Sequence, residues 1–323
     1  MATTPKKPAQ NKPAGSKSGK PGGRPPGAPA IPKATARDWI AGARLRTLSL
    51  SIAPVALGTA AAHLLGDGEW HWVRALACLA VALFLQIAVN YANDYSDGVR
   101  GTDKHRVGPS RLTGSGAAKP RTVLTVALVF FALAAAVGIA LVIVTGFYWL
   151  LAVGAACIVA GWFYTGGKRP YGYAGLGEIF VFVFFGLVAT AGTTYVQAGD
   201  VNGDSWLAGV AAGFLACAVL MVNNLRDRVQ DKAAGKKTLS VRVGDRASRV
   251  IFVVFLLLPF VIVAIFSFFY AAASLTYFAL LAALPAALIV VTGKTAKEFI
   301  LALQLTSLAS LAFGLILATA IAL

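Results

Sequence analysis

Charge is scarce in this chain. Only 13% of its 323 residues are Asp, Glu, Lys or Arg, about half the share carried by a soluble globule. Acid is scarcer still, with thirteen Asp and Glu in all. Cysteine is nearly absent. Cys78, Cys157 and Cys217 each fall inside an apolar run and share no metal-ligand spacing, so neither a disulfide framework nor a cysteine metal site is expected. The first thirty residues begin basic but lack an apolar core, and no cleavable signal peptide is expected. Short segments of alternating polarity are missing too, which argues against a transmembrane barrel.

What the chain does have is apolar length. Hydrophobic residues make up 58% of it, in runs of the ~20 residues needed to cross a hydrocarbon core. The expectation is an all-α polytopic membrane protein with about nine spans, near 44–65, 73–93, 121–145, 147–164, 176–197, 206–225, 249–270, 274–292 and 298–321. The net charge of +16 would suit a nucleic-acid partner, but its distribution argues otherwise. If the spans alternate, 28 of the 29 Lys and Arg fall on one side and Arg74 alone on the other, with Asp67, Glu69, Asp200 and Asp204. The positive-inside rule then places the N-terminus in the cytoplasm and the C-terminus outside. Residues 1–37, rich in Pro, Gly and Lys, read as a disordered cytoplasmic tail against anionic lipid, and 38–323 as the membrane domain.

The sparse acid is concentrated. Asn90, Asn93, Asp94, Asp97 and Asp103 lie within fourteen residues at the end of the second span. Asn223, Asp227 and Asp231 repeat the theme at the end of the sixth, with Val89-Asn90 and Asp94 echoed 133 residues later by Val222-Asn223 and Asp227. A parallel duplication would produce such an echo, with a site between the halves. On a continuing helix each set shares one face. Gly98 and Gly101 are expected to break the first helix, leaving Asp103 to the loop. A single acid at a loop start is most simply a solvated helix end. Two matched clusters beside many cations instead suggest Mg²⁺ bridging to a diphosphate. Arg100, Lys104, Arg106, Arg111, Arg226, Arg228, Lys232, Lys236 and Lys237 are then candidate clamps.

Between spans four and five, Tyr164-Thr-Gly-Gly-Lys168-Arg-Pro-Tyr171 offers glycines for close approach to an anion and Lys168 to meet it; an ordinary basic loop is the plainer reading. Glu178, about one turn into span five, is an acid at membrane depth. It is expected to pair with Lys168 or Arg169, or to hydrogen-bond an aromatic acceptor. Departure of a diphosphate from an allylic carbon leaves a cation, and the π faces of Tyr91, Tyr95, Tyr164 and Tyr171 suit it.

The segment NDYSDGVRGTD followed by RVGPSRLTGSG resembles the first Asp-rich motif of the UbiA-type intramembrane prenyltransferases, and NNLRDRVQDKAAGKKTLSVRVG resembles their second. RLRTLSLSIAPVALGTA and YTGGKRPYGYAGLGEIFVFVFFGLVATAGTTYVQ are similar to the menaquinone-pathway branch, which prenylates 1,4-dihydroxy-2-naphthoate. The resemblance covers about 38–323. It implies a helical bundle with cytoplasmic loops over a central cavity, two Mg²⁺ ions, and a polyprenyl diphosphate as donor. It also implies metal binding by Asp94, Asp97, Asp103, Asp227 and Asp231. Contact with substrates would fall to Asn90, Asn93, Tyr95, Asn223, Asn224 and Glu178, with Tyr164, Lys168 and Tyr171 from the middle loop and Arg100, Lys104, Arg106, Arg111 and Lys236 as cations. Many members carry NDxxDxxxD, whereas here Asp97 is followed by GVRGT before Asp103, so the metal ligand is Asp97, Asp103 or both. The alternatives are a sister enzyme with another aromatic acceptor, such as 4-hydroxybenzoate, and a carrier, whose acids would lie nearer the membrane midplane.

Overall fold

A computed structural model describes residues 33–66, 68–103 and 111–323. Of the expected tail, residues 1–32 lie outside the described residues, as do Asp67, Lys104 and Arg106. The described chain is helical, without strands: α1 Ala36–Gly42, α2 Ser49–Leu65, α3 Trp72–Arg100, α4 Pro120–Thr145, α5 Leu150–Phe163, α6 Gly177–Ala198, α7 Gly203–Ala233, α8 Leu239–Phe269, α9 Ala271–Thr292 and α10 Ala296–Ala322. Among the described residues seven helices are long and apolar enough to cross a membrane, and α1 with α2, bent by 47°, makes up to eight. The remaining expected span is α5. Its 14 residues reach ~21 Å, short of a ~30 Å hydrocarbon core.

Local chemistry sets several of the boundaries. Thr35 and Asp38 form a capping box at the start of α1, and Ala34 N–H reaches Ala117 O at 3.0 Å, tying α1 to the segment before α4. Pro120 opens α4, where a missing N–H costs nothing. Thr295 and Glu298 cap α10 in the same way as α1. The expectation that α3 would break at Gly98 is corrected: the helix runs through it and stops at Gly101, which takes φ +73°. Gly98 is needed there for closeness, because a Cβ would overlap Thr113.

Two cores flank a cavity. The larger joins α2 with α7–α10 around Leu57, Met221, Phe252, Leu256 and Phe313. The smaller joins α3 to α4 through Ala88, Ala92, Val123 and Ala127, small residues that bring membrane helices close. α7 is the innermost span, with 72% of its apolar window buried. α6 winds as a π-helix from Phe182 to Val188, a local widening often found at functional sites. The connections after α3, α5 and α7 meet at one end of the bundle. Arg100 donates to Thr165 O and Gly167 O, and Lys237 N–H to Tyr173 O at 2.8 Å.

Candidate active site

The last turns of α3 place Asn90, Asn93, Asp94 and Asp97 on one buried face. Each is already engaged. Asn90 Nδ2 donates to Ala43 O at 2.9 Å, and Asn93 Oδ1 accepts from Thr165 Oγ1 at 2.6 Å. Asp94 accepts from two backbone N–H groups, Leu112 at 2.9 Å and Thr113 at 2.8 Å. The chain after α3 therefore folds back over it. Gly98 leaves room beneath Thr113, and at Gly114 a Cβ would stand 2.7 Å from Asp103 Cβ.

Asp97 is the most heavily bonded of these acids. It accepts from Arg111 Nη1 and Tyr173 Oη, and Lys236 Nζ lies 3.1 Å away. Arg111 also reaches Asn93 O at 3.1 Å and Asp103 at 3.4 Å. Burial opposes its charge, but Asp97, Asp103 and Asp94 outweigh burial and hold the guanidinium above its ordinary pKa. Burial first, then the Asp97 charge, pushes the Tyr173 hydroxyl up, so it stays a proton donor at neutral pH.

The second motif lies on α7. Arg226 holds Asp227 through Nε and Nη2 at 2.8 and 2.5 Å, and reaches Asn223 Oδ1 at 2.9 Å. Lys236, from the turn beyond, lies 3.6 Å from Asp231 and 3.1 Å from Asp97. One ammonium thus bridges the two motifs, 133 residues apart in their echo. Asn224 faces away from them and donates to Glu178 Oε1 at 3.1 Å.

Part of this cluster opens onto a cavity of about 820 Å³, near the upper end for small-molecule sites, while Asp97, Asp103, Asp227, Asp231, Lys236, Glu178 and Asn224 stand off its lining. Asn90, Asn93, Asp94, Arg111, Asn223 and Arg226 line the polar head, with Arg37, Arg44 and Arg46 beside them. Arg44 is the one non-glycine among the described residues with positive φ, at +55°. Strained backbone of this kind tends to gather at functional sites. The rest of the lining is mostly apolar, from α1 to α7 with Ile300 and Leu303 of α10. Tyr171 stacks on Phe180 at 3.9 Å and meets Tyr164 edge-on at 5.5 Å, forming an aromatic wall. Val55, Cys78 and Val196, packed with Leu141 and Leu150, close the far end. Asp94 and Cys78 are sixteen residues apart on α3, so the cavity is ~24 Å deep along that helix.

Several expected residues stand elsewhere. Tyr95 packs toward α4, off the cavity lining. Lys168 is exposed and also off the lining. Arg100 straps the middle loop through its carbonyls, and Tyr171 spends its hydroxyl on Ala160 O at 2.8 Å while its ring faces the cavity. Glu178 pairs with Asn224 and with neither Lys168 nor Arg169, because the start of α6 lies against α7. Lys104 and Arg106 are outside the described residues. Tyr173 was not anticipated; two residues from Tyr171 in the same loop, it has no periodic or charge signal of its own. Arg44 and Arg46 also line the cavity; just ahead of an apolar run, such cations fit a membrane interface equally well from sequence.

Among the described residues no three His, Cys, Asp or Glu side chains cluster closely enough to hold a metal alone. The donor set nonetheless fits Mg²⁺, which takes hard oxygen ligands, keeps water and usually binds through one or two carboxylates plus phosphate oxygens. Asp94 offers such oxygens at the cavity head, with the Asn90, Asn93 and Asn223 amides nearby.

Residues 51–298 match the UbiA prenyltransferase family. The chain belongs to that family. It is 48% identical over 297 residues to a 1,4-dihydroxy-2-naphthoate octaprenyltransferase of Mycobacterium tuberculosis, covering 88% of this chain and 97% of that one. It is 39% identical to the Escherichia coli protein of the same name, covering 72% of this chain and 76% of that one. In fold it is similar to a UbiA homologue from Archaeoglobus fulgidus solved with GPP and Mg²⁺, with a TM-score of 0.56 at 16% identity over 87% of this chain and 99% of that one.

Proposed function

We propose that this UbiA-family enzyme transfers a polyprenyl group from its diphosphate to 1,4-dihydroxy-2-naphthoate, with loss of the ring carboxylate as CO₂, giving the demethylmenaquinone skeleton. The observation that carries the reading is the layout of the cavity: a polar head lined by Asp94 and Arg111 from the first motif and by Asn223 and Arg226 from the second, above a deep, mostly apolar chamber, with Lys236 joining the two motifs off the lining. That shape matches a charged diphosphate on a long apolar chain. The relatives named for the naphthoate reaction supply the acceptor.

Two bound Mg²⁺ ions would neutralise the diphosphate and make it a better leaving group. Asp94, Asp97, Asp103, Asp227 and Asp231 are their proposed ligands. Arg111, Arg226 and Lys236 neutralise the departing oxygens, as preorganised cations do in a site of low dielectric. Asn90, Asn93 and Asn223 orient the head group. As the allylic C–O bond breaks, the faces of Tyr164 and Tyr171 stabilise the cation, and the apolar walls exclude the water that would otherwise capture it. The electron-rich ring then attacks the cation, and the Glu178–Asn224 hydrogen bond, off the cavity lining, holds the start of α6 against α7 behind the aromatic wall. The protein lies in the bacterial cell membrane with the acidic end and the 1–37 tail cytoplasmic, where both substrates are reached.

The test is an acceptor panel with purified protein, Mg²⁺ and a polyprenyl diphosphate. Prenylated, decarboxylated product from the naphthoate is expected. Turnover of 4-hydroxybenzoate with none of the naphthoate overturns the assignment, and uptake of prenyl diphosphate without release of inorganic diphosphate overturns the enzyme reading.

A further inference from the structure

Three separate stretches of chain meet at Tyr173. It lies in the one-turn helix Tyr171–Ala174, entered from Pro170 and closed by Gly175 at φ +77°. Its backbone is held from both sides: its N–H donates to Pro170 O at 3.1 Å, and its carbonyl accepts from Lys237 N–H at 2.8 Å. The second contact pins the middle loop to the turn after α7. The approach is tight, since a Cβ at Gly175 would stand 2.9 Å from Lys237 O.

The side chain adds two ties of different chemistry. The hydroxyl donates to Asp97, on α3. The ring lies 4.7 Å from Lys236 Nζ and 5.2 Å from Arg100 Cζ, within range of cation–π attraction. Asp97 belongs to the first acidic motif and Lys236 follows the second, and the two also touch each other. One tyrosine thus contacts an acid from one half and a cation from the other, and gathers two mutually repelling cations onto its ring.

We propose that Tyr173 is a positioning residue for the prenyl diphosphate head, fixing Asp97 and Lys236 in a set relation beside Arg111, which lines the polar head of the cavity. It touches no reacting atom; it acts through those two side chains. The role rests on the prenyl transfer proposed above. It separates from a packing role because it touches one substrate's site only. The acceptor, beside the aromatic wall, is served by other residues.

The test compares wild type with Tyr173→Phe, which keeps the ring and loses the hydroxyl, and Tyr173→Leu, which loses both. Two quantities are measured: KM and kcat for each substrate separately, and the Kd of an uncleavable prenyl thiolodiphosphate with Mg²⁺ in the absence of acceptor. Loss of a hydrogen bond to a charged partner predicts a rise of about tenfold in KM for the prenyl diphosphate and in Kd for the analogue with Tyr173→Phe. Tyr173→Leu adds roughly threefold or more, as the cation–π contacts go, and KM for the acceptor stays at its wild-type value in both. The proposal is overturned if Tyr173→Phe binds the analogue as tightly as wild type, or if KM rises equally for both substrates. If Tyr173→Leu does not fold, Tyr173→Phe decides alone. Wild type that binds the analogue but prenylates no acceptor refutes the proposed function instead, and leaves the binding comparison able to decide the role of Tyr173.

Discussion

The two acidic motifs look alike in sequence, but the structure uses them differently. At the end of α3 the acids reach outward. Asp94 holds the backbone of Leu112 and Thr113, and Asp97 gathers Arg111, Tyr173 and Lys236 from three other segments. At the end of α7 the bonds described for Asp227 stay within its own helix, with Arg226 next to it. The bonds described for the first motif therefore tie separate segments together, while the second sets Asn223 and Arg226 on the cavity lining with Asp227 matched to Arg226.

The sharpest test of that difference is a pair of substitutions. Asp94→Ala and Asp227→Ala should each lower turnover by roughly a thousandfold, the scale of losing a principal electrostatic contact in an active site. They should part on hydrogen exchange. Asp94→Ala leaves two buried N–H groups unpaired and should expose residues 111–118 to exchange, while Asp227→Ala should leave that segment protected. Equal protection in both variants would end this distinction between the two motifs. Chelation of divalent ions should likewise stop turnover, yet leave the thermal midpoint unchanged, because the acids already have protein cations as partners.

Arg226 comes next in size. It is buried, lines the cavity and carries both Asp227 and Asn223. Its replacement by Ala should lower kcat/KM for the prenyl diphosphate by about a hundredfold, since breaking one side of a buried ion pair strands the other. A smaller effect is expected from Gly98→Ala. The added methyl must push Thr113 away from α3, at about 1–3 kcal/mol of stability. Because Asp94 depends on the same loop, activity should fall along with the melting temperature. Full activity at an unchanged midpoint would show that the loop need not lie so close.

Much of this was legible in the sequence, and the division follows the range of the physics. Apolar runs set the spans, because hydrocarbon demands length and composition of a local segment. The shared faces of Asn90 with Asp94 and of Asn223 with Asp227 follow from helical spacing alone. The 133-residue echo led to one site, and Lys236 bridges its halves. What sequence could not supply were partners fixed by packing. Nothing local says that Gly98 sits under Thr113 and lets α3 run on to Arg100. Tyr171 and Tyr173 look equivalent in the middle loop, yet only Tyr173 meets Asp97. Lys168 has the charge for phosphate but points outward, and Glu178 finds Asn224 through the contact between α6 and α7.

The smallest expected effect makes the same point within three residues. Arg228 sits two positions beyond Arg226 in the same motif, with the same charge. Helical geometry turns it ~200° away, so it leaves the cavity lining and meets Asp245 at 3.4 Å, where both side chains are partly exposed. Such pairs contribute under about 1 kcal/mol, because water screens them and ordering two long side chains offsets the attraction. Arg228→Ala should therefore keep turnover within about twofold of wild type and scarcely move the melting temperature. A loss comparable to that of Arg226→Ala would mean that the diphosphate reaches beyond the cavity head to the outer face of α7, and the two arginines would have to be reassigned together.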